Sequence, residues 1–390
     1  MQENSSLKDY FPMLREREEI LKEIEKSLLL KGIFSGWSQR QREDFLDYAS
    51  GARGWKILYD PFFKEVLNVE YDRSRLEDFL ATVLGKKVKI LRILPNDSTR
   101  LADETSLLIT DIVVELEDGS IATVEIQKIG YLFPGARCAC YSCDMLLRQY
   151  KRVRDQMKKH FSYKDIRSVF LVVIYENSPA EFKQMPDVYY HHAKQVFDSG
   201  LSMDLLQEYV MIPLDIFRRH MQNKPIESNL EAWLTFFSED SPEKIIELIT
   251  AFPRFRDMYE TFYDMCNNME RVMEMFSKEL QELDRNTTVY MIEEQQKTIE
   301  QKIAEIQKME TKLGQMDMEL EAKRAELGQK DAELEASRAE LGQMDAELEA
   351  SRAELGQKDA ELKAREAEIA SLRKKLQEQS QRVTSPSGKE

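Results

Sequence analysis

Apolar positions recur along this chain with three different spacings, and each spacing predicts a different element. Between Asp111 and Gln127 apolar and polar residues alternate on both sides of Glu117-Asp118-Gly119. Alternation in Val- and Ile-rich segments around a glycine-containing break predicts a β-hairpin. A three-residue loop with Gly119 in the left-handed position pairs Leu116 with Ser120. The same register sets Asp111 opposite Glu125, and Gln127 joins them on one face. Ile112, Val114, Leu116, Val124 and Ile126 then point into the core. A two-residue loop would shift the register by one and send Asp111 to the other face. Val169–Tyr175 is an unbroken apolar run, which predicts a strand buried on both faces. Val88–Leu94, ended by Pro95, and Tyr209–Leu214 complete the expected strands.

Helical spacing dominates the flanks. Leu14, Leu21, Ile24 and Leu28 predict one stripe over residues 13–30, ended by Gly32. Ser38 with Gln41 forms a capping-box pattern that opens a second helix through Tyr48. Phe62, Phe63, Val66 and Leu67 predict a short helix. Ser74 is expected to cap another helix that stops at Gly85. A polar loop, Asn96–Glu104, leads into the hairpin. Tyr131–Gly135 is a turn, and a helix follows from Ala136 to about His160. From Ser228 the pattern is helical again, with Ser241-Pro242 as a start signal and Pro253 as a break. Tyr259, Phe262, Met269, Met273 and Phe276 form a stripe over Met258–Leu283 that belongs to a core.

The third spacing is seven. From Ile292 through Ile299, Ile306 and Leu313 to Leu376, an Ile or Leu occupies every seventh position, assigned here to heptad position d. Val289 and Ile303 supply apolar a positions in the first part. Beyond residue 313 a 14-residue repeat sets in, with Asp317, Arg324, Asp331, Arg338, Asp345, Arg352 and Asp359 at a. A parallel in-register dimer would oppose Asp to Asp, whereas a one-heptad shift or antiparallel pairing removes the clash. Gly314, Gly328, Gly342 and Gly356 each cost the helix about 1 kcal/mol relative to alanine. Pairs such as Glu321 with Arg324 return a few tenths of a kcal/mol. An irregular polar tail is expected from Ser380.

Composition narrows the reading. The formal net charge of −15 over 390 residues argues against nonspecific nucleic-acid binding by the whole molecule. Any such contact must come from a local basic segment, and the end of the 136–160 helix is one, with Arg148, Lys151, Arg152, Arg154, Lys158 and Lys159. The first residues do not resemble a signal peptide, and no apolar run is long enough to span a bilayer, so a cytoplasmic protein without membrane contact is expected. Cys138, Cys140, Cys143 and Cys266 form no disulfide framework. Cys138 and Cys140 point to different sides of a helix, which favours packed free thiols over zinc. His191-His192 reads as an exposed connection.

Two carboxylates opposed on a sheet repel each other unless a proton or a cation joins them. Oxygen-only ligands suit Mg²⁺ or Mn²⁺. From pattern alone, a half-exposed hairpin with polar residues facing water remains the alternative. Asp111 followed 14 residues later by Glu125-Ile126-Gln127 resembles the PD-(D/E)XK nuclease signature, and more narrowly that of the PD-(D/E)XK family transposases, the recombination-promoting nuclease group. Asp60-Pro-Phe-Phe-Lys-Glu-Val-Leu67, Arg137 with Tyr141, the Val169 strand and the strand near Tyr209 fit in the same order, over roughly residues 55 to 220. Gln127 stands where the superfamily usually has lysine; the narrower family is similar in often showing Glu-x-Gln.

The resemblance implies an α/β, restriction-endonuclease-like αβββαβ core, a DNA substrate and a Mg²⁺ or Mn²⁺ cofactor. It implies Asp111 and Glu125 as catalytic metal ligands, Gln127 as the residue that orients water, and Glu77 as an extra acidic ligand from a preceding helix. Arg137, Lys151, Arg152, Lys158 and Lys159 are the DNA-binding candidates. The expected organisation is an N-terminal helical arm (1–50), the nuclease-like domain (51–227), a helical segment (228–285), a coiled coil (286–379) and a disordered tail (380–390). The leading function is a metal-dependent DNA endonuclease that promotes recombination or element mobility, assembled as a homodimer through the coiled coil. The rival is a catalytically inactive nuclease-like domain serving as a coiled-coil oligomerisation or DNA-binding protein.

Overall fold

Among the described residues, five of the six strands form where alternation or continuous apolar sequence predicts them, and all six join into one mixed sheet. The computed structural model of the chain describes residues 6–94, 111–130 and 133–383. The expected loop Asn96–Glu104, the start of the turn at Tyr131 and the Val289 side chain lie outside the described residues. Among the described residues the chain runs α1 (Leu7–Tyr10), α2 (Arg17–Lys26), α3 (Leu28–Gly36), α4 (Gln39–Ser50), α5 (Asp60–Val66), α6 (Arg73–Leu84), β1 (Ile90–Ile93), β2 (Ile112–Leu116) and β3 (Ile121–Gln127). It continues through α7 (Pro134–Met157), β4 (Val169–Tyr175), β5 (His191–Lys194), β6 (Gln207–Pro213), α8 (Leu214–His220), α9 (Asn229–Ser238), α10 (Pro242–Ala251), α11 (Arg254–Cys266) and α12 (Met269–Val383). The sheet order is β1-β2-β3-β4-β6-β5. β1, β2 and β3 are antiparallel neighbours, β3, β4 and β6 run parallel, and β5 returns antiparallel at the edge. The run α6-β1-β2-β3-α7-β4 is the αβββαβ order. His191-His192 is therefore an edge strand rather than a plain connection.

Both faces of the sheet are covered, which explains why β2 and β4 are buried along their whole length. On one face Ile112, Val114, Val124, Phe170, Val172 and Ile212 pack in the main core. On the other, Val113, Ile121 and Val169 meet Met145 of α7, and Leu171, Val173 and Tyr175 meet Cys138 and Tyr141. Leu7, Phe11, Ile24, Phe45 and Tyr48 from the N-terminal helices share the main core with Trp233, Tyr259, Phe262 and Phe276. Residues Met1–Thr298 form one compact unit and Ile299–Glu390 a second.

Several local expectations change. Helix 13–30 is two helices, because Ser27 ends α2 and its side chain caps α3. Leu28 thereby leaves the stripe and is 92% exposed, and α3 passes through Gly32. Asp72, not Ser74, caps α6, accepting the Ser74 N–H at 2.9 Å. The helix expected over Met258–Leu283 breaks between α11 and α12 at Asn267-Asn268. The last helix reaches Val383, past the expected start of an irregular tail at Ser380. In the second unit the heptad residues are exposed in the single chain, Ile299 at 51% and Leu313 at 61%.

Candidate active site

Gly119 sets the geometry from which the site is built. Its φ of 81° is left-handed, its N–H donates to the Leu116 carbonyl at 2.9 Å, and the Leu116 N–H donates to Ser120 at 2.9 Å. This is the three-residue loop. Ile112 pairs with Val124 and Val113 with Thr123, so Asp111, one residue before β2, falls opposite Glu125. The two ends are tied across the ladder. The Asp111 N–H donates to Glu125 Oε2 at 3.3 Å, and the Ile126 N–H donates to Asp111 Oδ2 at 2.8 Å.

Helix α5 completes the group with two residues one turn apart. Asp60 and Lys64 lie at i and i+4, and Lys64 Nζ is 2.9 Å from Asp60 Oδ2 and 3.2 Å from Asp111 Oδ1. The Asp60 and Asp111 carboxyls are hydrogen-bonded to each other. Burial, then the charge and hydrogen bond of Asp60, push the Asp111 carboxyl up to about 7. Burial works on Asp60 in the same direction, but its hydrogen bond with Asp111 and the Lys64 ammonium outweigh it and hold Asp60 below the usual value. Burial and the Asp111 charge raise Glu125 well above the carboxylate range, although Tyr141 of α7 is hydrogen-bonded to it. Burial and Glu125 raise the Tyr141 phenol in turn.

Gln127 is buried beside Glu125 on the same face, and its Oε1 has no hydrogen-bond partner. A buried carbonyl oxygen without a donor is costly, so this atom is short of a donor or a cation. Among the described residues no three His, Cys, Asp or Glu side chains converge into a ready-made metal cage.

The structure gathers Asp111, Glu125 and Gln127 and leaves Glu77 out. Glu77 is buried, but its carboxylate accepts the Ile90 N–H at 2.8 Å and the Lys89 ammonium at 2.6 Å, tethering the start of β1. The acidic residue that a preceding helix brings to Asp111 is Asp60 instead. Among the DNA-binding candidates, Lys151, Lys158 and Lys159 are exposed. Arg137 is partly exposed and within electrostatic reach of Tyr141. Arg152 is spent inside the fold: its guanidinium pairs with the buried Glu115 and donates to the Gly119 carbonyl at 3.1 Å. Arg148 likewise pairs with buried Asp144 at 2.9 Å. Cys138 is buried with its sulfur 3.5 Å from the Tyr175 hydroxyl, while Cys140 and Cys143 are exposed.

Asp60 and Lys64 were not singled out from the sequence as site residues. Their signal was present: an Asp-Pro helix start with a lysine four residues on. A second cluster lies behind them. Glu279 of α12 is fully buried, accepts the Lys128 ammonium at 2.6 Å and also accepts the Asp60 N–H at 2.9 Å. A cleft of about 240 Å³ lined by Arg53, Lys56, Glu176 and Arg218 includes none of these residues, and Arg53 in it is paired with Asp240 at 2.5 Å.

A covered mixed sheet whose hairpin presents an Asp and a Glu side by side is consistent with a PD-(D/E)XK nuclease-type fold. The comparison with protein families makes that specific. The model for PD-(D/E)XK nuclease family transposases matches residues 57–294, well over half of the chain, and the chain belongs to that family. The match runs past residue 220 through α9–α11 and into α12, so those helices are part of the family's unit. Neither curated proteins nor solved structures gave a match. No helix among the described residues is long and apolar enough to cross a membrane.

Proposed function

We propose that this protein is a divalent-metal-dependent DNA endonuclease that hydrolyses phosphodiester bonds at Asp111 and Glu125, in the cytoplasm, in support of recombination or element mobility. The observation that carries the reading is the buried Glu125 carboxyl opposed to the half-buried Asp111 carboxyl, both raised by burial and by a neighbouring carboxyl, with the unsatisfied Gln127 Oε1 beside them. A cation bound between the two carboxylates would relieve their repulsion and give the Gln127 oxygen a partner. Mg²⁺ or Mn²⁺ fits this set, because these ions take one or two carboxylates and fill the rest of their shell with water and substrate phosphate. Asp111 and Glu125, with Gln127 Oε1, would hold the ion. When bound, it polarises the scissile phosphate and makes the attacking water more acidic.

The residues of the chain then divide the remaining work. Gln127 orients water through its carboxamide, which is not basic at neutral pH and takes no proton. Asp60 steers Asp111 through their shared hydrogen bond. Arg137, Lys151, Lys158 and Lys159 lie along and just beyond α7, the helix that covers the acidic face, and meet phosphates without reading sequence. Arg152 drops out of this set, because Glu115 already holds it. Nicking of supercoiled plasmid in Mg²⁺, absent in chelator, tests the reading. Neutralising Lys151, Lys158 and Lys159 together is expected to weaken DNA binding and to reduce the salt slope by about 1 per lost contact. An unchanged slope would make them a solvated face.

The homodimer belongs to the same proposal. The exposed heptad residues Ile292 to Leu313 are the apolar seam, and the polar repeat beyond them, with Asp and Arg at a, specifies no register. Deleting residues 314–390 is expected to leave a dimer by light scattering. Deletion from residue 289 gives mainly monomer, which nicks one strand rather than cutting both. A monomeric full-length protein at micromolar concentration would contradict the seam.

A further inference from the structure

The site described above has an apparent gap: Gln127 leaves the hairpin without a cation. The sequence offers an obvious substitute in Lys128, the next residue. Strand alternation turns it to the opposite face, where it is 7% exposed and bound by Glu279 at 2.6 Å. Arg152, farther along the acidic face, is held by Glu115. Lys64 differs from both. Its ammonium lies 3.2 Å from Asp111, and its side chain remains 38% exposed, so it borders solvent at the acidic pair. Asp60, one helical turn earlier, gives it a second anchor at 2.9 Å. Its position therefore does not depend on Asp111 alone. Phe62 and Phe63, both fully buried, fix the helix that carries it.

We propose that Lys64 is a catalytic residue, supplying from helix α5 the positive charge at the scissile phosphate that Gln127 cannot supply from the strand. The inference rests on the nuclease reading. In the reaction, a water oxygen forms a bond to phosphorus and the bond from phosphorus to one ester oxygen breaks. The electron pair of that bond stays on the leaving oxygen, which takes a proton from solvent, while the attacking water gives one up to solvent. Lys64 exchanges no proton. Its ammonium faces the non-bridging oxygens as charge builds on them, held in advance by two carboxylates. A preorganised charge of this kind contributes about 10²–10³-fold in rate.

The rival role for Lys64 is that of a counter-ion, which neutralises Asp60 and Asp111 and does nothing to phosphate. Two readouts separate the roles: single-turnover plasmid nicking at saturating Mg²⁺, and Mn²⁺ affinity without DNA by electron paramagnetic resonance. Lys64→Met removes the charge and keeps the length, Lys64→Arg keeps the charge, and thermal melts establish that both are folded. If Lys64 acts on phosphate, K64M loses about 100-fold or more in nicking rate. It binds Mn²⁺ as tightly as wild type or more tightly, because a competing cation is gone, and K64R recovers a substantial part of the rate. Nicking by K64M within about threefold of wild type overturns the proposal, and so does a loss of rate matched by an equal loss of Mn²⁺ affinity. If K64M does not fold, K64R and Lys64→Gln carry the same comparison. A wild-type protein that nicks no DNA with any divalent cation fails the nuclease reading itself. Nicking that survives K64M but not Asp111→Asn fails Lys64 alone.

Discussion

Asp111→Asn is expected to abolish cleavage and, in the same protein without metal, to raise stability above neutral pH. The two effects have one origin. Burial, with Asp60 beside it, pushes the Asp111 carboxyl up to about 7 in the folded chain. In the unfolded chain it titrates near an ordinary aspartate value, close to 4. Between these values the folded state binds the extra proton, so stability falls as pH rises through that window. The favourable contribution is present below about pH 4 and lost by about pH 7. The rise corresponds to an upper bound of about 4 kcal/mol, reduced by the Lys64 ion pair that Asn also removes. A gain of about 1–2 kcal/mol at pH 8 is the expected result, with a flatter pH profile, read by urea unfolding. Cleavage should fall at least about 10³-fold, because a carboxamide leaves the site one negative charge short. Glu125→Gln should behave in the same way. Wild-type cleavage in either variant would remove these residues from the mechanism.

Glu279→Ala should be the most destabilising single change in the molecule outside the apolar core. Glu279 is fully buried and accepts both the Lys128 ammonium and the Asp60 N–H. Its own carboxyl is raised by burial despite Lys128, so the pair is held together against the cost of leaving water. Removing one partner leaves a buried ammonium and a buried N–H without acceptors, at a cost of about 3–5 kcal/mol. The double change Lys128→Met with Glu279→Met should return most of that loss, since no charge is then stranded. A single variant that melts like wild type, or a double variant as weak as the single, would show that the pair carries little. The same network ties the first turns of α12 to the first residue of α5, so a loosened α12 should also disturb the placement of Asp60.

The hairpin was legible because one residue settles it. Gly119 fixes the loop length, the loop length fixes the register, and a period of two then places Asp111, Glu125 and Gln127 together. No further tertiary information is needed. Asp60 and Lys64 carried a weaker signal, since an Asp-Pro helix start with a following lysine occurs at many surface helices. What turns them toward Asp111 is the burial of Phe62 and Phe63 on the opposite side of a seven-residue helix. Glu77 was drawn to the site by its place on a helix before the first strand, but the strand start at Ile90 takes its carboxylate. Arg152 reads as one more positive charge until the fold brings Glu115 against it. The Lys128–Glu279 pair joins residues 151 positions apart, a separation at which local pattern says nothing. The seven-residue spacing of the last helix is plain in the sequence, but a single chain shows only that its apolar residues are exposed.

The central claim is that Asp111 and Glu125 form a metal-dependent phosphodiesterase site, and conversion of supercoiled plasmid to the nicked form by the purified full-length protein tests it most directly. Wild type should nick in Mg²⁺ or Mn²⁺, stop when a chelator is added, and resume when the ion is restored in excess. The Asp111→Asn variant, folded and at least as stable as wild type, should not nick under any of these conditions. Nicking that persists in chelator, or that is equal in wild type and variant, would contradict the account.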